Sequence, residues 1–480
     1  MQAMRSVHLW GTLVALCLAP LFFGSVDQIW ISIWLILLST STVCGVVVRP
    51  TSAQWRVLLT FFVLCSAYAA VATVQVLPGL ANRLNDPIWQ SANDALKGAL
   101  SSRISSRAEI PPVAIGHFLL VITSFTSGFY VGVSQRKGEL LITTARYAVL
   151  SYAVYGVAAL VFTPNLLLWG PKLAYPGSLT ASFVNHNTAA TFLGSGAILW
   201  FCKAYGTGQS IRFSSLRVLL LTPTYERVAF KLILQLVAGL ICFFALLLTR
   251  SRGGLICSSL GLLISIGLML TKTFRLKFWH ILVIGGAASI VLLFWLSQMG
   301  RIGSQGLFDD GRWYVYQYCL EAIRHRPLLG AGAGTFADLF PSLRGSDINV
   351  GGIWEQAHST ILEIFVEMGI PIGIAVLLGA IAAFIVLVQG ATITVDHGRD
   401  SLAGIAGIAA LGFSHSAIDF SLQIPGYFIV FWILLGCGLA RASADRAIHT
   451  NARSRRPAVL AEQGGVATLA RGESSTSDAR

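Results

Sequence analysis

Long apolar segments recur along most of this chain and are separated by short polar stretches. A segment of about 17 to 25 apolar residues crosses roughly 30 Å of hydrocarbon as an α-helix. The pattern predicts twelve such spans, which cover residues 8–25, 28–48, 56–77, 112–134, 147–163, 187–205, 231–249, 254–271, 279–299, 369–390, 401–420 and 424–440. The hydropathy pattern therefore predicts an all-α polytopic membrane protein.

The distribution of basic residues predicts the orientation of these spans. With 55% hydrophobic residues, 11% charged residues and a mean hydropathy of +0.71, the chain is far more apolar than a soluble domain. Lys and Arg accumulate in loops that stay cytoplasmic. If the N-terminus is cytoplasmic, most of the 34 basic residues fall on that side and none lies in the middle of a predicted span. Both termini are therefore predicted to be cytoplasmic, and the first segment is expected to remain as a span, because its removal as a signal peptide would break this parity.

The net charge of +13 is interpreted as an orientation signal combined with a basic tail. The basic residues are scattered over many loops without a nucleic-acid-binding motif, which argues against nucleic acid as a partner. Residues 441–480 are rich in Arg, Ser, Ala and Gly and are predicted to form a disordered cytoplasmic tail behind an integral membrane domain at 1–440. Seven of the eight cysteines fall within or beside predicted spans, so buried packing is expected for them rather than disulfides or metal binding.

Three stretches on the predicted outside face are long enough to hold structure: 78–111, 164–186 and 300–368. In the last of these, FDDGRWYVYQYCLEAIRHRPLLGAGAGTF (308–336) predicts a helix that is capped by Asp309 or Asp310 and ends at Pro327. The GAGAG run that follows predicts a turn or a close approach of backbones, and no βαβ pattern supports a nucleotide-binding loop there. Asp338 to Gly352 is expected to be an irregular loop.

Polar residues at the predicted outside ends of spans are candidates for chemistry. EQAHSTILEIFVEMG (355–369) has a histidine and three carboxylates directly before an apolar run, and His358 is expected to open the helix. Glu363 and Glu367 share one helix face at i, i+4, which requires a nearby cation. The candidate cations are Arg324, Arg326 and Arg344.

Two further motifs hold polar residues at predicted span ends. TRSRGG (249–254) places two arginines in a tight turn, where phosphate binding and simple anchoring to lipid headgroups are equally open. In SFVNHNTAATF (182–192), Asn187 is predicted to be a helix N-cap. Asp419 is expected to act as a cap, to pair with an arginine, or to bond His415 four residues earlier.

Taken in order, SFVNHNTAATF, TRSRGG, GRWYVYQYCLEAIRHRPLLGAGAGTF and AHSTILEIFVEMGI resemble the O-antigen ligase and polymerase superfamily of bacterial envelope glycosyltransferases. The resemblance covers residues 182 to 375. Its most distinctive part is an arginine followed by an apolar-aromatic helix, a Pro-Leu-hydrophobic-Gly-x-Gly turn, and a histidine opening a helix that ends in Glu-x-Gly. The resemblance implies a GT-C-like fold of about twelve transmembrane helices with a helical periplasmic catalytic region near 300–368, in the bacterial inner membrane.

The resemblance also implies roles for individual residues. Arg252 and Arg312 match the family's two diphosphate-binding arginines, and His358 matches its catalytic histidine. Ser359 stands where Asn is common in the family, which leaves the role of that side chain open. Glu355 would share a face with His358 and orient its imidazole if the helix began early. The candidate supporting residues are Arg250, Glu355, Asn187, His186 and Asp419.

The implied donor is a glycan linked through diphosphate to undecaprenol, so negative charge develops on the phosphates as the glycosidic bond breaks. The predicted outside carboxylates form no Asp-x-Asp cluster for a metal ion, whereas arginines neutralise phosphate without one. A histidine is suited to removing a proton from an acceptor hydroxyl near neutral pH. We therefore expect a reaction without metal or cofactor, and the resemblance suggests inversion at the anomeric carbon.

Several functions share this chemistry. A ligase would attach O-antigen to lipid A-core, a polymerase would join repeat units into growing polysaccharide, and a protein O-oligosaccharyltransferase would use Ser or Thr. The complete set of motifs favours the ligase. A flippase for lipid-linked glycans is the alternative of a different class, but the chain has no Lys or Arg in the middle of a predicted span and no obvious internal repeat.

Overall fold

The described part of the chain is a bundle of long apolar helices. The computed structural model describes residues 1–79, 84–98, 100–209, 223–270, 310–345, 354–394 and 398–444. Its helices are α1 Gln2–Leu18, α2 Gln28–Gly45, α3 Ser52–Val76, α4 Ile88–Leu96, α5 Pro112–Gly132, α6 Gln135–Phe162, α7 His186–Gln209, α8 Pro223–Leu248, α9 Arg252–Leu270, α10 Asp310–His325, α11 Phe336–Leu343, α12 Thr360–Ile393, α13 Arg399–His415 and α14 Pro425–Ala444. A short antiparallel hairpin, β1 Leu166–Leu167 with β2 Gly170–Pro171, lies between α6 and α7.

The prediction of an all-α polytopic membrane protein is confirmed. Eight described helices are long and apolar enough to cross a membrane, namely α2, α3, α5, α6, α8 from Glu226, α9, α12 and α14. The predicted spans 8–25, 187–205 and 401–420 overlap α1, α7 and α13, which are helical but are not among these eight. The predicted span 279–299 lies outside the described residues, so the count of twelve stays a prediction. The predicted disordered tail does not begin at 441, because residues 441–444 belong to α14 and Arg441 is buried against Glu139; the rest of the tail lies outside the described residues.

Helices α7 and α13 lie at the centre of the bundle. Most residues of both helices are buried, and they pack against each other, with α8 against α7 and α9 against α13. Small residues let these helices approach closely. A Cβ atom on Gly261 of α9 would lie 2.4 Å from the carbonyl oxygen of Gly407 in α13. This contact fixes α9 against the helix that leads to Asp419.

Helix α6 is longer than the predicted span that it overlaps. Helix α6 begins at Gln135 rather than near residue 147, so Arg146 lies inside a candidate span, where it is buried. The charge pattern had assigned this basic side chain to a loop, whereas it lies within a helix. The Arg146 guanidinium donates to Thr143 Oγ1 at 2.7 Å, which keeps part of its hydrogen bonding inside the helix.

The elements outside the long helices gather at one end of the bundle, called the site end below. Helix α10 ends before Pro327 as predicted, whereas α11 covers residues 338–343, the start of the stretch that was expected to be irregular. Two ion pairs fasten the segment around α4 to these helices. Arg326 Nη1 lies 2.6 Å from Asp86 Oδ2, and Arg107 binds the Asp338 carboxylate through two nitrogens at 2.5 and 2.9 Å.

Candidate active site

The turn between α8 and α9 presents the two arginines of the TRSRGG motif. Ser251 caps α9, because its Oγ accepts a hydrogen bond from Gly254 N at 3.1 Å. Arg252 is therefore the first residue of α9, at the positive end of the helix dipole. Arg250 is exposed and has a left-handed backbone with φ 59°, an uncommon conformation for a residue with a side chain. The turn thus directs basic groups to the site end.

The start of α7 holds this turn in place. His186 Nδ1 lies 2.7 Å from the carbonyl oxygen of Thr249, and Ser251 Oγ donates to Asn187 Oδ1 at 2.7 Å. The helix cap is Asn185, whose Oδ1 accepts from Asn187 N at 2.7 Å, so the prediction that Asn187 is the N-cap is wrong. The Asn187 side chain is available for the contact with the arginine turn because the preceding asparagine does the capping.

Asp419 connects this turn to Arg312. Its carboxylate is buried and accepts hydrogen bonds from Asn187 Nδ2 at 2.7 Å and from Ser421 Oγ at 3.0 Å. Arg312 Nη1, near the start of α10, lies 3.8 Å from Asp419 Oδ2 and donates to Ile418 O at 3.2 Å. A buried carboxylate needs such partners to offset its desolvation. Arg312 therefore approaches Asp419 directly, while Ser251, the cap residue before Arg252, reaches the same carboxylate through Asn187.

His358 lies beside the same acidic residue. Its imidazole sits edge-on between two aromatic rings, with ring centroids 5.2 Å from Trp354 and 4.9 Å from Phe420, the neighbour of Asp419. Its carbonyl oxygen accepts a 3.0 Å hydrogen bond from Tyr316 Oη. Tyr316 lies one helical turn after Arg312, so α10 supplies the arginine and also holds the histidine backbone.

His358 does not lie in the helix, contrary to expectation. Ser359 is the N-cap of α12, with its side chain accepting from Leu362 N at 3.2 Å, and this gives the serine a structural role. His358 precedes the cap with a left-handed φ of 52°, a strained conformation of the kind that clusters at functional sites. Glu355 is exposed and also precedes the helix. The condition under which Glu355 and His358 would share a helix face is therefore not met.

Asp419 and His415 do not form the side-chain pair that the sequence spacing allows. Helix α13 ends at His415, so the i, i+4 relation between the two residues is not helical. His415 Nδ1 lies 3.2 Å from Thr191 Oγ1 instead. The main chain of Asp419 has a separate role, because its carbonyl oxygen accepts from Thr360 Oγ1 at 3.2 Å and holds the start of α12.

The GAGAG loop is a close backbone approach, as predicted, and its partner is a break in α12 at Gly369. Gly369 has φ 78° and ψ 173°, so the helix hydrogen bonds are interrupted there. The GAGAG loop replaces them: Ala331 N donates to Val366 O at 2.9 Å, and Gly332 N donates to Glu367 O at 3.1 Å. The Glu367 carboxylate accepts from Gly334 N at 2.9 Å and from Phe336 N at 3.1 Å.

The carboxylates of Glu363 and Glu367 are compensated by backbone amides. Glu363 Oε2 accepts from Ala357 N at 2.8 Å, which fixes the residue just before His358. The prediction that an arginine would neutralise this pair is wrong for Arg326, because Arg326 pairs with Asp86. The Glu-x-Gly motif therefore organises the backbone behind the site.

Replacement of Gly369 by alanine is expected to lower the melting temperature in detergent more than replacement of Gly79. Both glycines have a positive φ, 78° and 76°, but Gly369 with its ψ of 173° lies in a region that essentially only glycine adopts, so its replacement costs about 1–3 kcal/mol of backbone strain. A Cβ on Gly369 would lie 2.5 Å from Leu328 O, whereas no atom of the described residues lies within 4 Å of a Cβ on Gly79. The extra clash should add about 1–3 kcal/mol. Equal melting temperatures would show that the break at Gly369 tolerates a side chain.

Several residues that hold the site together were missed by the sequence analysis. Ser251 carried a usable signal, because a serine before an apolar helix is a common N-cap. Tyr316 and Phe420 had no signal beyond their places near Arg312 and Asp419. Gln75 had none at all, although its Nε2 donates to Leu329 O and its Oε1 accepts from Ala333 N at 3.0 Å, which clamps the GAGAG loop onto α3.

Among the described residues the site lacks a cluster of metal ligands, and part of the site lies in a range that matches a known family. Among the residues that the structure describes, no three His, Cys, Asp or Glu side chains come together in a way that would hold a metal ion. Residues 237–378 match the family model described as O-antigen ligase. This range contains Arg250, Arg252, Arg312 and His358, while Asn187 and Asp419 lie outside it. No curated protein matches the chain in sequence.

Proposed function

We propose a specific reaction from the premise that the chain belongs to the O-antigen ligase and polymerase superfamily. The match of residues 237–378 to the O-antigen ligase family model supports this premise. The protein transfers a glycan from undecaprenyl diphosphate to a sugar hydroxyl, with inversion and without a metal ion. The favoured acceptor is lipid A-core, which makes the protein an O-antigen ligase. Polymerisation of repeat units is the alternative within the same chemistry, and protein O-oligosaccharyltransfer is a third.

The observation that supports this proposal is the convergence of three motifs on one acidic residue. Arg312 lies 3.8 Å from the Asp419 carboxylate, and the residue that caps the helix of Arg252 reaches the same carboxylate through Asn187. The His358 ring contacts Phe420, the residue that follows Asp419 in the chain. This arrangement supports the proposal that Arg252, Arg312 and His358 border one site, where an anionic leaving group and a hydroxyl nucleophile would meet.

In the proposed reaction, the guanidinium groups of Arg252 and Arg312 bind the diphosphate and stabilise the charge that develops on it as the glycosidic bond breaks. Asp419 limits the rotamers of Arg312 and balances part of its charge. The His358 imidazole removes the proton of the acceptor hydroxyl as the new glycosidic bond forms. Trp354 and Phe420 keep the imidazole in place without competing for that proton, because their ring edges offer no strong acceptor.

The proposed location is the bacterial inner membrane, with both termini cytoplasmic and the site on the periplasmic face. The proposed domain at 1–440 has its catalytic region near 300–368, and the lipid-linked donor approaches from the bilayer. The positive-inside distribution of Lys and Arg in the sequence supports this orientation. Labelling of Glu321→Cys, which replaces an exposed side chain on α10, by a membrane-impermeant thiol reagent on intact spheroplasts tests it. Labelling only after lysis would contradict the proposed orientation.

The decisive experiment uses purified protein in detergent with undecaprenyl-diphosphate-linked glycan and lipid A-core. No membrane separates two compartments in this assay, so an enzyme forms product and a flippase forms none. If the acceptor is instead a second lipid-linked glycan, the product identifies a polymerase. In cells that lack the protein, full-length chains stranded on undecaprenol indicate a ligase, whereas single repeats on lipid A-core indicate a polymerase.

Chelation of divalent cations is expected to leave the transfer rate within a factor of about two, because fixed guanidinium groups supply the positive charge that a metal ion would otherwise supply. The assay compares the rate with EDTA, with EDTA plus excess Mg²⁺, and with neither. Size-exclusion chromatography in detergent checks in parallel that the protein stays folded. A rate that falls with EDTA and returns with Mg²⁺ would refute the metal-independent reaction.

A further inference from the structure

The loop after α6 exposes an unusual amount of apolar surface. The strap, defined as residues 162–177, contains the β1–β2 hairpin and has Lys172 as its one charged residue. The exposed fractions of its apolar side chains are 81% for Phe162, 69% for Trp169 and 90% for Leu173. Large apolar side chains that cluster on a surface mark contact with a partner or a membrane. The strap is therefore poorly suited to lie in water.

The apolar side of the strap is continuous with surfaces of the bundle that are suited to face lipid. Trp169 packs edge-on against Phe23 in the α1–α2 turn, with ring centroids 5.0 Å apart. Phe22 in the same turn stacks on Trp30 of α2 at 3.7 Å. Helix α2 is a candidate span, as is α6, from which the strap emerges. Tryptophans concentrate where hydrocarbon meets headgroups, which is the depth that these contacts indicate for the hairpin.

The last residues of the strap reach the candidate site. The Tyr175 ring stacks on His186, with centroids 4.1 Å apart and planes at 22°. Arg250 Nη1 is 3.7 Å from the position of a Cβ on Gly177. Burial raises the pKa of the Tyr175 hydroxyl, the Asp419 carboxylate raises it further, and Arg312 lowers it. The charges of both members of that ion pair therefore act on the Tyr175 hydroxyl. The strap therefore runs from the exposed apolar side chain of Leu173 to Gly177, which lies beside the arginine turn.

Lys172 holds the second half of the strap in place through its hydrogen bonds. Its Nζ donates to the carbonyl oxygen of Ser178, and its backbone N donates to Asn165 O at 2.9 Å. Leu179 N then bonds Leu248 O at 2.9 Å, which ties the end of the strap to the helix before Arg250. The strap is therefore fastened at its site end, while Leu173 projects away from the protein.

We propose that the strap inserts Trp169 and Leu173 into the bilayer at the site end and forms the side on which a polyprenyl diphosphate passes from the lipid to the arginine turn. The partner of the apolar side chains is the acyl and headgroup boundary of the membrane. A polyprenyl diphosphate is apolar along its tail and anionic at its head. The strap shows the same change in chemistry from Leu173 to Arg250. The passage of donor rests on the proposed function, whereas the insertion into lipid does not.

Insertion is tested with an environment-sensitive fluorophore on Leu173→Cys in proteoliposomes. The matched control is Glu321→Cys on α10, and the wild-type protein gives the background from its eight cysteines. The fluorophore at 173 is expected to emit at shorter wavelength than that at 321 and to be quenched by spin-labelled lipid rather than by iodide. Quenching of both positions by iodide alone would overturn the proposal.

The passage of donor is tested by Leu173→Asp, with Leu173→Phe as the apolar control. The aspartate is expected to raise KM for the lipid-linked donor on the order of tenfold, which corresponds to about 1.4 kcal/mol. The KM for acceptor and kcat should stay close to those of wild type. An unchanged donor KM beside lipid quenching would refute the donor path and leave only the membrane contact. If wild-type protein transfers no glycan, the proposed function fails, while the quenching result still decides insertion.

Discussion

Replacement of His358 by asparagine is expected to lower the glycan transfer rate by about 10²–10⁴-fold, the usual contribution of a general base. The backbone of His358 is left-handed, with φ 52°, and asparagine adopts this conformation more readily than most residues. The substitution therefore removes the base with little change in backbone strain. A sugar hydroxyl is a weak nucleophile while it keeps its proton, so transfer should slow even when both substrates bind.

The measurement is single-turnover transfer with saturating lipid-linked donor, so that the chemical step is observed apart from binding. The matched control is His325→Asn, because His325 is an exposed histidine on α10 that lies 3.9 Å from Glu321 and outside the site. The control should keep the wild-type rate. A His358→Asn variant that folds and transfers glycan at the wild-type rate would exclude His358 as the base.

Hydropathy alone predicted where most helices lie, because a membrane rewards long apolar segments regardless of their neighbours. It was less informative about the role of each helix in the bundle. Helices α7 and α13 are mostly buried by protein, so they need small residues for close packing more than they need a high hydropathy. Arg146 was assigned to a loop for a related reason, since a window of apolar residues cannot show that the helix continues into polar sequence.

The order of the motifs brought forward the residues that border the site, but their contacts could not be read from the sequence. Asp419 was considered with His415 because of their spacing, yet α13 ends at His415 and the aspartate turns toward Asn187 and Arg312. Spacing predicts neighbours only while the helix continues. The residues that connect Arg252 to Arg312 come from segments more than 60 positions apart, and only the fold brings them together.

The Glu363 and Glu367 pair illustrates the same difficulty in terms of charge. Two carboxylates on one helix face predict a cation, because side chains are the partners that a sequence displays. Backbone amides of the GAGAG loop and of Ala357 satisfy them instead. The glycines that permit this approach were visible, with φ 68° at Gly330 and 120° at Gly332, but their partner was not. A glycine-rich loop predicts closeness without naming what comes close.

Replacement of Arg312 by alanine is expected to lower the transfer rate by about 10²–10³-fold, by analogy with the loss of one preorganised donor to a developing anion. Arg312→Lys should recover only part of the rate, because an ammonium group lacks the planar fork that binds two phosphate oxygens. The loss should appear mainly in kcat if the contact strengthens as the diphosphate departs, and mainly in KM if it binds the ground state equally well.

The matched control for Arg312 is Arg107→Ala, which removes the same charge from the site end. Arg107 is an exposed residue paired with Asp338, and such pairs contribute about 0–1 kcal/mol to stability, so this variant should fold and transfer glycan normally. The comparison separates a local contact with phosphate from a general effect of positive charge on an anionic substrate. If both variants lose the same activity, long-range attraction explains the result. If Arg312→Ala retains the full rate, another residue must stabilise the developing charge. Arg250 or Arg252 is then the residue to replace next.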